Sequence, residues 1–251
     1  MASFTTLLNV GEKESSAILL VTVIAAIGLN FVVQPKEDIL VCEHGSGFSA
    51  EENIFRVWPP LFVVAFVAAF EQLSSSSNVP NIGTANFMYG VSWILLCIWW
   101  YVVSQKSLFA TFFSAMTMFI ISMLCMTTTL IAGLFKANVT KIWGRWFTAI
   151  AYSSLAGWSF LVSVVNIMMA YNVNYEVNDG VECDESLNPI PITLSVAVSA
   201  LGIYFCDPVI IIATLWTMWN LNSYSFQIIS LLICFLGTVV SAVRFLNVLY
   251  A

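Results

Sequence analysis

The sequence predicts an all-α polytopic membrane protein, a bundle of seven transmembrane helices, and three observations carry that expectation. Charge is scarce: 9% of the 251 residues are Asp, Glu, Lys or Arg and 60% are hydrophobic, whereas a soluble domain is roughly a quarter charged. The charges are crowded into short gaps and absent from the long runs between them, as expected when the runs lie in lipid. The runs are continuous and do not alternate with period two, which favours helices over a barrel.

In order, the spans are expected at about 16–34, 55–73, 86–104, 108–135, 146–171, 191–219 and 225–250, forming a single bundle. Each needs about 20 apolar residues to cross a ~30 Å hydrocarbon core. Ser16 to Val33 holds no charge. The acidic lead Glu12-Lys13-Glu14 is unlike the basic start of a signal peptide, so this is expected to be a retained span. The second span opens on Trp58-Pro59-Pro60 and reaches full length only with its flanks, Phe55 and Leu73. The third contains Trp93, Trp99 and Trp100. Leu108 to Phe135 and Trp146 to Tyr171 are uncharged throughout. Ile192 to Trp219 is interrupted by Asp207-Pro208, where a kink is expected. The seventh, Phe226 to Tyr250, carries Arg244.

Seven crossings put the N-terminus and the C-terminus on opposite sides. The N-terminus is expected in the cytosol, because Lys136, Lys141 and Arg145 cluster in one short gap on its side. The sequon Asn138-Val139-Thr140 lies in that gap, and a glycan there would invert the topology. The membrane is expected to be the plasma membrane or an endomembrane. Cys97, Cys125, Cys206 and Cys234 lie within spans as packing residues. Cys42 and Cys183 are the two in gaps, on one face in this topology, and are expected to form a disulfide. The other reading is two unrelated free thiols.

Several chemistries are disfavoured. His44 is the only histidine, beside Cys42 and Glu43, a poor set for a metal and no pair for a haem. There is no glycine-rich phosphate loop. The five lysines lie in gaps or at span ends, so no lysine is placed for a retinal Schiff base. The third span ends Tyr101-Val102-Val103-Ser104, without the Asp-Arg-Tyr-like signal of a G-protein-coupled receptor. The expectation is a protein that is not an enzyme.

Two features point to binding. Asp207 lies near the middle of the sixth span, with Arg244 in the seventh and Glu71 closing the second. An ionisable group at such depth faces the bundle interior and is a functional-site candidate. The alternative is a structural carboxylate bonded to a neighbour, Arg244 being one candidate. The second feature is the set of 9 Trp with 19 Phe and 8 Tyr. Trp143, Trp146 and Trp219 fall near span ends, where indoles favour the interface. Trp93 and Trp158 lie well inside their spans, and Trp93 and Trp100 share a helix face. Such faces wall a flat apolar ligand or simply pack the bundle.

The order of these residues resembles the tryptophan-rich sensory protein family, also called the translocator protein or peripheral benzodiazepine receptor family, in its longer members. The segments are Phe55-Arg56-Val57-Trp58-Pro59-Pro60-Leu61-Phe62, Glu71-Gln72, Ser92-Trp93-Ile94 with Trp99-Trp100, Leu155-Ala156-Gly157-Trp158, and Asp207-Pro208 followed by Trp216. The resemblance implies a pocket between helices for a tetrapyrrole or sterol. The expected ligand site is therefore Trp58, Trp93, Trp100, Trp158 and Trp216 as walls, with Asp207 as the polar anchor. The protein would act as a sensor or carrier for a bound porphyrin, sterol or lipid, alone, as a homodimer or in a larger membrane assembly, and without nucleic acid. Two alternatives stand beside this. One is an accessory or structural subunit of a membrane complex, with Ser153-Ser154-Leu155-Ala156-Gly157 allowing close helix approach. The other is a small-solute or proton-coupled transporter using Asp207, Glu71 and Arg244.

Overall fold

The computed structural model describes residues 11–33, 49–50, 58–74, 81–103, 108–133, 145–179, 190–219, 221–222 and 224–250. Among these the chain forms eight helices: α1 (Glu12–Val33), α2 (Trp58–Ser74), α3 (Ile82–Val103), α4 (Leu108–Ala132), α5 (Trp146–Asp179), α6 (Ile190–Phe205), α7 (Pro208–Trp219) and α8 (Tyr224–Tyr250). Five of them, α1, α3, α4, α5 and α8, are long and apolar enough to cross a membrane. α2, α6 and α7 are shorter apolar helices. A two-residue antiparallel ladder joins β1 (Ser49–Ala50) to β2 (Leu221–Asn222).

The surface is inverted relative to a protein that faces water. Val21, Val63, Phe109, Met116, Ile228 and Leu236 stand exposed on the outside. Ser16, Asn86, Ser92, Thr148, Ser159 and Thr214 are fully buried. Polar groups withdrawn into hydrogen-bonded pairs and apolar ones turned outward is the arrangement lipid enforces.

Side-chain contacts fix the direction of every helix. α1 and α3 run parallel: Asn86 Nδ2 donates to Ser16 Oγ at 3.1 Å, and one turn on Gly90 lies against Leu19 and Thr22. α2 runs against both α3 and α5, since Trp58 meets Trp100 and Trp158 at one end while Gln72 Nε2 donates to Thr148 Oγ1 at the other. α3 and α5 are parallel, linked by Tyr89 to Ala151 and by Trp99 to Asn166. α4 returns from the end of α3, and Ser114 near its start reaches Asn166. The bundle therefore has a base, where α1, α3 and α5 begin, and a top, where they end.

The expected sixth span, 191–219, differs from a single crossing: it is two helices folded back on each other. α7 runs parallel to α5, because Ser153 meets Asp207 and then Gly157 meets Ile210, Ala213 and Thr214. α6 runs parallel to α8, because Ser199 bonds Ile233, Ser241 bonds Gly202 and Arg244 bonds Ile203 in ascending order. α8 in turn brings Phe245, near its end, to Trp146 at the start of α5. So α6 descends from the top, α7 climbs back, and α8 descends to the base. The β1–β2 ladder is consistent with this: β2 directly follows α7 and pairs with β1, which precedes α2 by eight residues in the chain, so β1 lies at the top with the end of α7. Consequently α1 begins and α8 ends at the same end of the bundle, whereas seven straight crossings place them at opposite ends.

Candidate functional site

The reversal between α6 and α7 is built by local chemistry that the dipeptide Asp207-Pro208 carries. Cys206 adopts φ 55°, a left-handed conformation that ends α6. Its N–H donates to Ile203 O at 3.3 Å, and Asp207 N–H donates to Gly202 O at 2.8 Å, the paired bonds of a Schellman cap. Asp207 then caps the start of α7, its Oδ1 accepting from Val209 N at 3.0 Å and Ile210 N at 3.2 Å. Pro208 fills the first helical position, where no N–H is needed. The other carboxylate oxygen, Oδ2, accepts from Ser153 Oγ on α5. Asp207 is thus buried at the tip of the hairpin, level with a residue seven positions into α5, about 10 Å above its base at 1.5 Å per residue.

Glycines let the hairpin sit close. A Cβ at Gly157 would meet the Ile210 carbonyl oxygen at 2.4 Å, so α5 and α7 touch backbone to backbone. A Cβ at Gly202 would meet the side chain of Ile211 at 2.4 Å, so the absence of a side chain there lets α6 pack against Ile211 of α7.

Beside this tip lies a groove of about 240 Å³ between α4, α5 and the α6–α7 turn. Its lining runs along α4 from Phe119 to Ala132, about 20 Å of helix. Phe119, Met123, Leu130 and Ile167 at its rim are half exposed, so it opens sideways, on the outer face of the bundle. Its walls are mostly apolar, and its polar groups include Tyr152, Ser153 and Asp207 toward the base.

The tryptophans expected as ligand walls occupy a different place. Trp58, Trp93, Trp100 and Trp158 are buried together where α2, α3 and α5 meet. Trp58 touches Trp158 at a centroid distance of 4.4 Å and Trp100 at 5.0 Å, both edge-on, and Phe62 links Trp93 to them at 5.5 Å. Their indole N–H groups meet no oxygen or nitrogen acceptor; edge-to-face packing sets such groups against neighbouring ring faces. None of the four borders the groove. Trp216 is on α7, apart from the cluster and 47% exposed. Of the six expected site residues, Asp207 alone lines the groove.

Arg244 does not pair with Asp207. Its Nη1 donates to Ile203 O at 3.0 Å, satisfying a carbonyl in the last turn of α6. Glu71 Oε2 accepts from Thr148 N at 2.9 Å and Thr148 Oγ1 at 2.6 Å, and buried Arg145 donates to Gln72 Oε1. These groups tie the end of α2 to the start of α5. Three residues of this interior were not singled out from sequence. Asn86 joins Ser16 to Tyr152, whose hydroxyl donates to Asn86 Oδ1. Asn166 accepts from Ser114 Oγ at 2.7 Å and Trp99 Nε1 at 3.3 Å. An Asn within an apolar run is the signal that could have found the two amides; Tyr152 had none.

Among the described residues no three His, Cys, Asp or Glu side chains gather as a metal site, and Cys97, Cys125, Cys206 and Cys234 are free thiols. Cys42, Cys183, His44 and Asn138 lie outside the described residues. No protein-family model, curated protein or solved structure matches the chain.

Proposed function

We propose that this chain is a multi-pass membrane protein that holds a hydrophobic small molecule in the groove between α4, α5 and the α6–α7 turn, as a sensor or carrier. In the bilayer, α1, α2, α3, α4, α5 and α8 each cross, and α6–α7 enters from the top as a helical hairpin that turns at Asp207. What supports six crossings and a hairpin, against seven crossings, is the opposed direction of α6 and α7 and the meeting of β1 with β2. The base takes the cytosolic side: Lys13, Arg145 and Arg244 lie there, and the α4–α5 connection adds Lys136 and Lys141 in sequence, while Lys36, Arg56 and Lys106 fall in sequence between helix ends that are at the top.

The single observation that carries the ligand reading is the groove itself: apolar, open on the outer face of the bundle, and with a buried carboxylate in its wall. Its length of about 20 Å and volume of about 240 Å³ suit an elongated molecule. Pockets for whole drug-sized ligands run about 300–1,000 Å³. A flat tetrapyrrole stacked between indoles, the ligand the family resemblance implies, has less support, because the buried tryptophans pack edge-on against each other. The test is photolabelling in detergent with a diazirine-bearing long-chain alcohol. Labelled peptides from α4 and α5, lost when Met126→Trp fills the groove, are the expected result. Labelling spread evenly over the outer faces of α1 and α8 would reject it.

One observation favours a second reading, the transporter. Discontinuous helices that turn within the bundle are a recurring way to place a site at membrane depth, and α6–α7 is such a pair. Solute or proton flux in proteoliposomes that is lost in Asp207→Ala would favour it; absence of flux would leave the carrier reading alone.

A further inference from the structure

Asp207 has one hydrogen-bonding direction left, and it determines which ligand the groove takes. An ionised carboxylate offers about four acceptor sites. Three are used: Oδ1 by the N–H groups of Val209 and Ile210, Oδ2 by the Ser153 hydroxyl. All three donors are uncharged. The two arginines at this end are engaged elsewhere, Arg244 on the Ile203 carbonyl and Arg145 on Gln72. Three donors on one carboxyl group favour its ionised, acceptor form against the cost of burial, and among the described residues no cationic side chain bonds to this carboxylate at the groove wall. Charges at such depth are stabilised by an opposite charge, and none of the described residues donates one to Asp207. Four aromatic residues also line the groove, Phe119, Tyr152, Phe160 and Phe205, of which Tyr152 adjoins Ser153 and Phe205 lies two residues before Asp207 in the chain. Aromatic faces attract a cation and not an anion.

We infer that the groove selects a lipophilic amine: an elongated apolar body along α4 and α5 with a protonated ammonium head against Asp207 Oδ2. This rests on the proposed ligand-binding function and specifies its head-group chemistry. An ammonium donates to the open acceptor site and neutralises the carboxylate. A long-chain alcohol donates without neutralising it. A fatty carboxylate sets like charge against like charge and is rejected. The tip of the hairpin lies about 10 Å above the base of α5, so the head is held below the midplane while the tail points toward the top.

The experiment compares three photoactivatable probes of one chain length, an amine, an alcohol and a carboxylic acid, on the full chain in detergent at neutral pH. The expected order is amine over alcohol over acid, with labels on α4 and α5 peptides and the amine ahead of the alcohol by about tenfold or more, since a charge-assisted bond replaces a neutral one. In Asp207→Asn, whose amide still caps α7, the amine's advantage falls to about twofold or less. Equal labelling by amine and alcohol, acid labelling as strong as either, or an amine preference that survives Asp207→Asn would overturn the inference. The first two outcomes leave the groove as a binding site without head-group selection. Failure of all three probes to label the groove overturns the binding function itself. The native comparison decides the matter even where the variant does not fold.

Discussion

Replacing Asp207 by Ala tests the hairpin tip, because the structure says how much is lost. Val209 and Ile210 would lose the acceptor for their N–H groups, at 3.0 and 3.2 Å. Loss of an N-cap side chain destabilises by about 1 kcal/mol, within a range of 0.5–2. The buried Ser153 hydroxyl would also lose its acceptor, and an unsatisfied buried donor adds about 1–3 kcal/mol. Together these give about 2–4 kcal/mol, or roughly 30- to 1,000-fold in the folding equilibrium. Asp207→Asn keeps a capping oxygen, and its amide can donate to Ser153 Oγ, so its cost stays below about 1 kcal/mol. The assay is reversible unfolding in mixed micelles titrated with SDS, followed by circular dichroism on wild type and both variants. The expected order is wild type and Asn close together and Ala well below. An Ala variant within 1 kcal/mol of Asn would refute the view that Asp207 organises the turn, and a lipid-exposed or unpaired carboxylate would replace it.

Gly157→Ala places a Cβ 2.4 Å from a backbone oxygen of α7, which cannot rotate away, so the same titration should show a loss of about 1–3 kcal/mol; Gly28→Ala, with nothing within 4 Å, should be neutral or slightly stabilising. Trp158→Ala removes a fully buried ring that touches Trp58 and Trp99 and should lower stability by about 3–5 kcal/mol, whereas Trp216→Ala, on a half-exposed site, should lower it by less than about 1. Alkylation without reductant should leave Cys42 and Cys183 unmodified and mark them only after reduction, since both connections, α1 to α2 and α5 to α6, start and end at the top of the bundle; free modification of both would remove the disulfide.

Much of the helix pattern is legible because lipid excludes charge: the gaps at Lys36–Asp38, Glu51–Arg56 and Glu182–Glu185 fall between helices. The inward face of α3 is legible too, because Trp93 and Trp100 lie seven apart and both are buried. Trp99, beside that face, is also buried because Asn166 gives its N–H an acceptor. The reversal within 191–219 is not legible from hydropathy. Helices of 16 and 12 residues are each as apolar as a span, and end to end they look like one. The signal was present in another form: Asp207-Pro208 is an N-cap followed by a first-turn proline, which starts a helix as readily as it kinks one. The groove has no sequence signature. It exists because the short α6 and α7 turn back beside α4 and α5, and only the directions of those helices reveal it. The tryptophan motifs mark a packed centre, so reading them as ligand walls and reading the groove lead to different residues, with Asp207 common to both.

The most direct test is the sidedness of the two ends of the chain. Short epitope tags placed before Glu12 and after Tyr250, probed by antibody in intact and in permeabilised cells, report it without any ligand. A chain reversal at Asp207 puts both tags on the same side of the membrane, the cytosolic one. Tags on opposite sides would mean that 191–219 crosses once as a single span, and the hairpin, the groove beside it and the ligand proposed to fill it would all be contradicted.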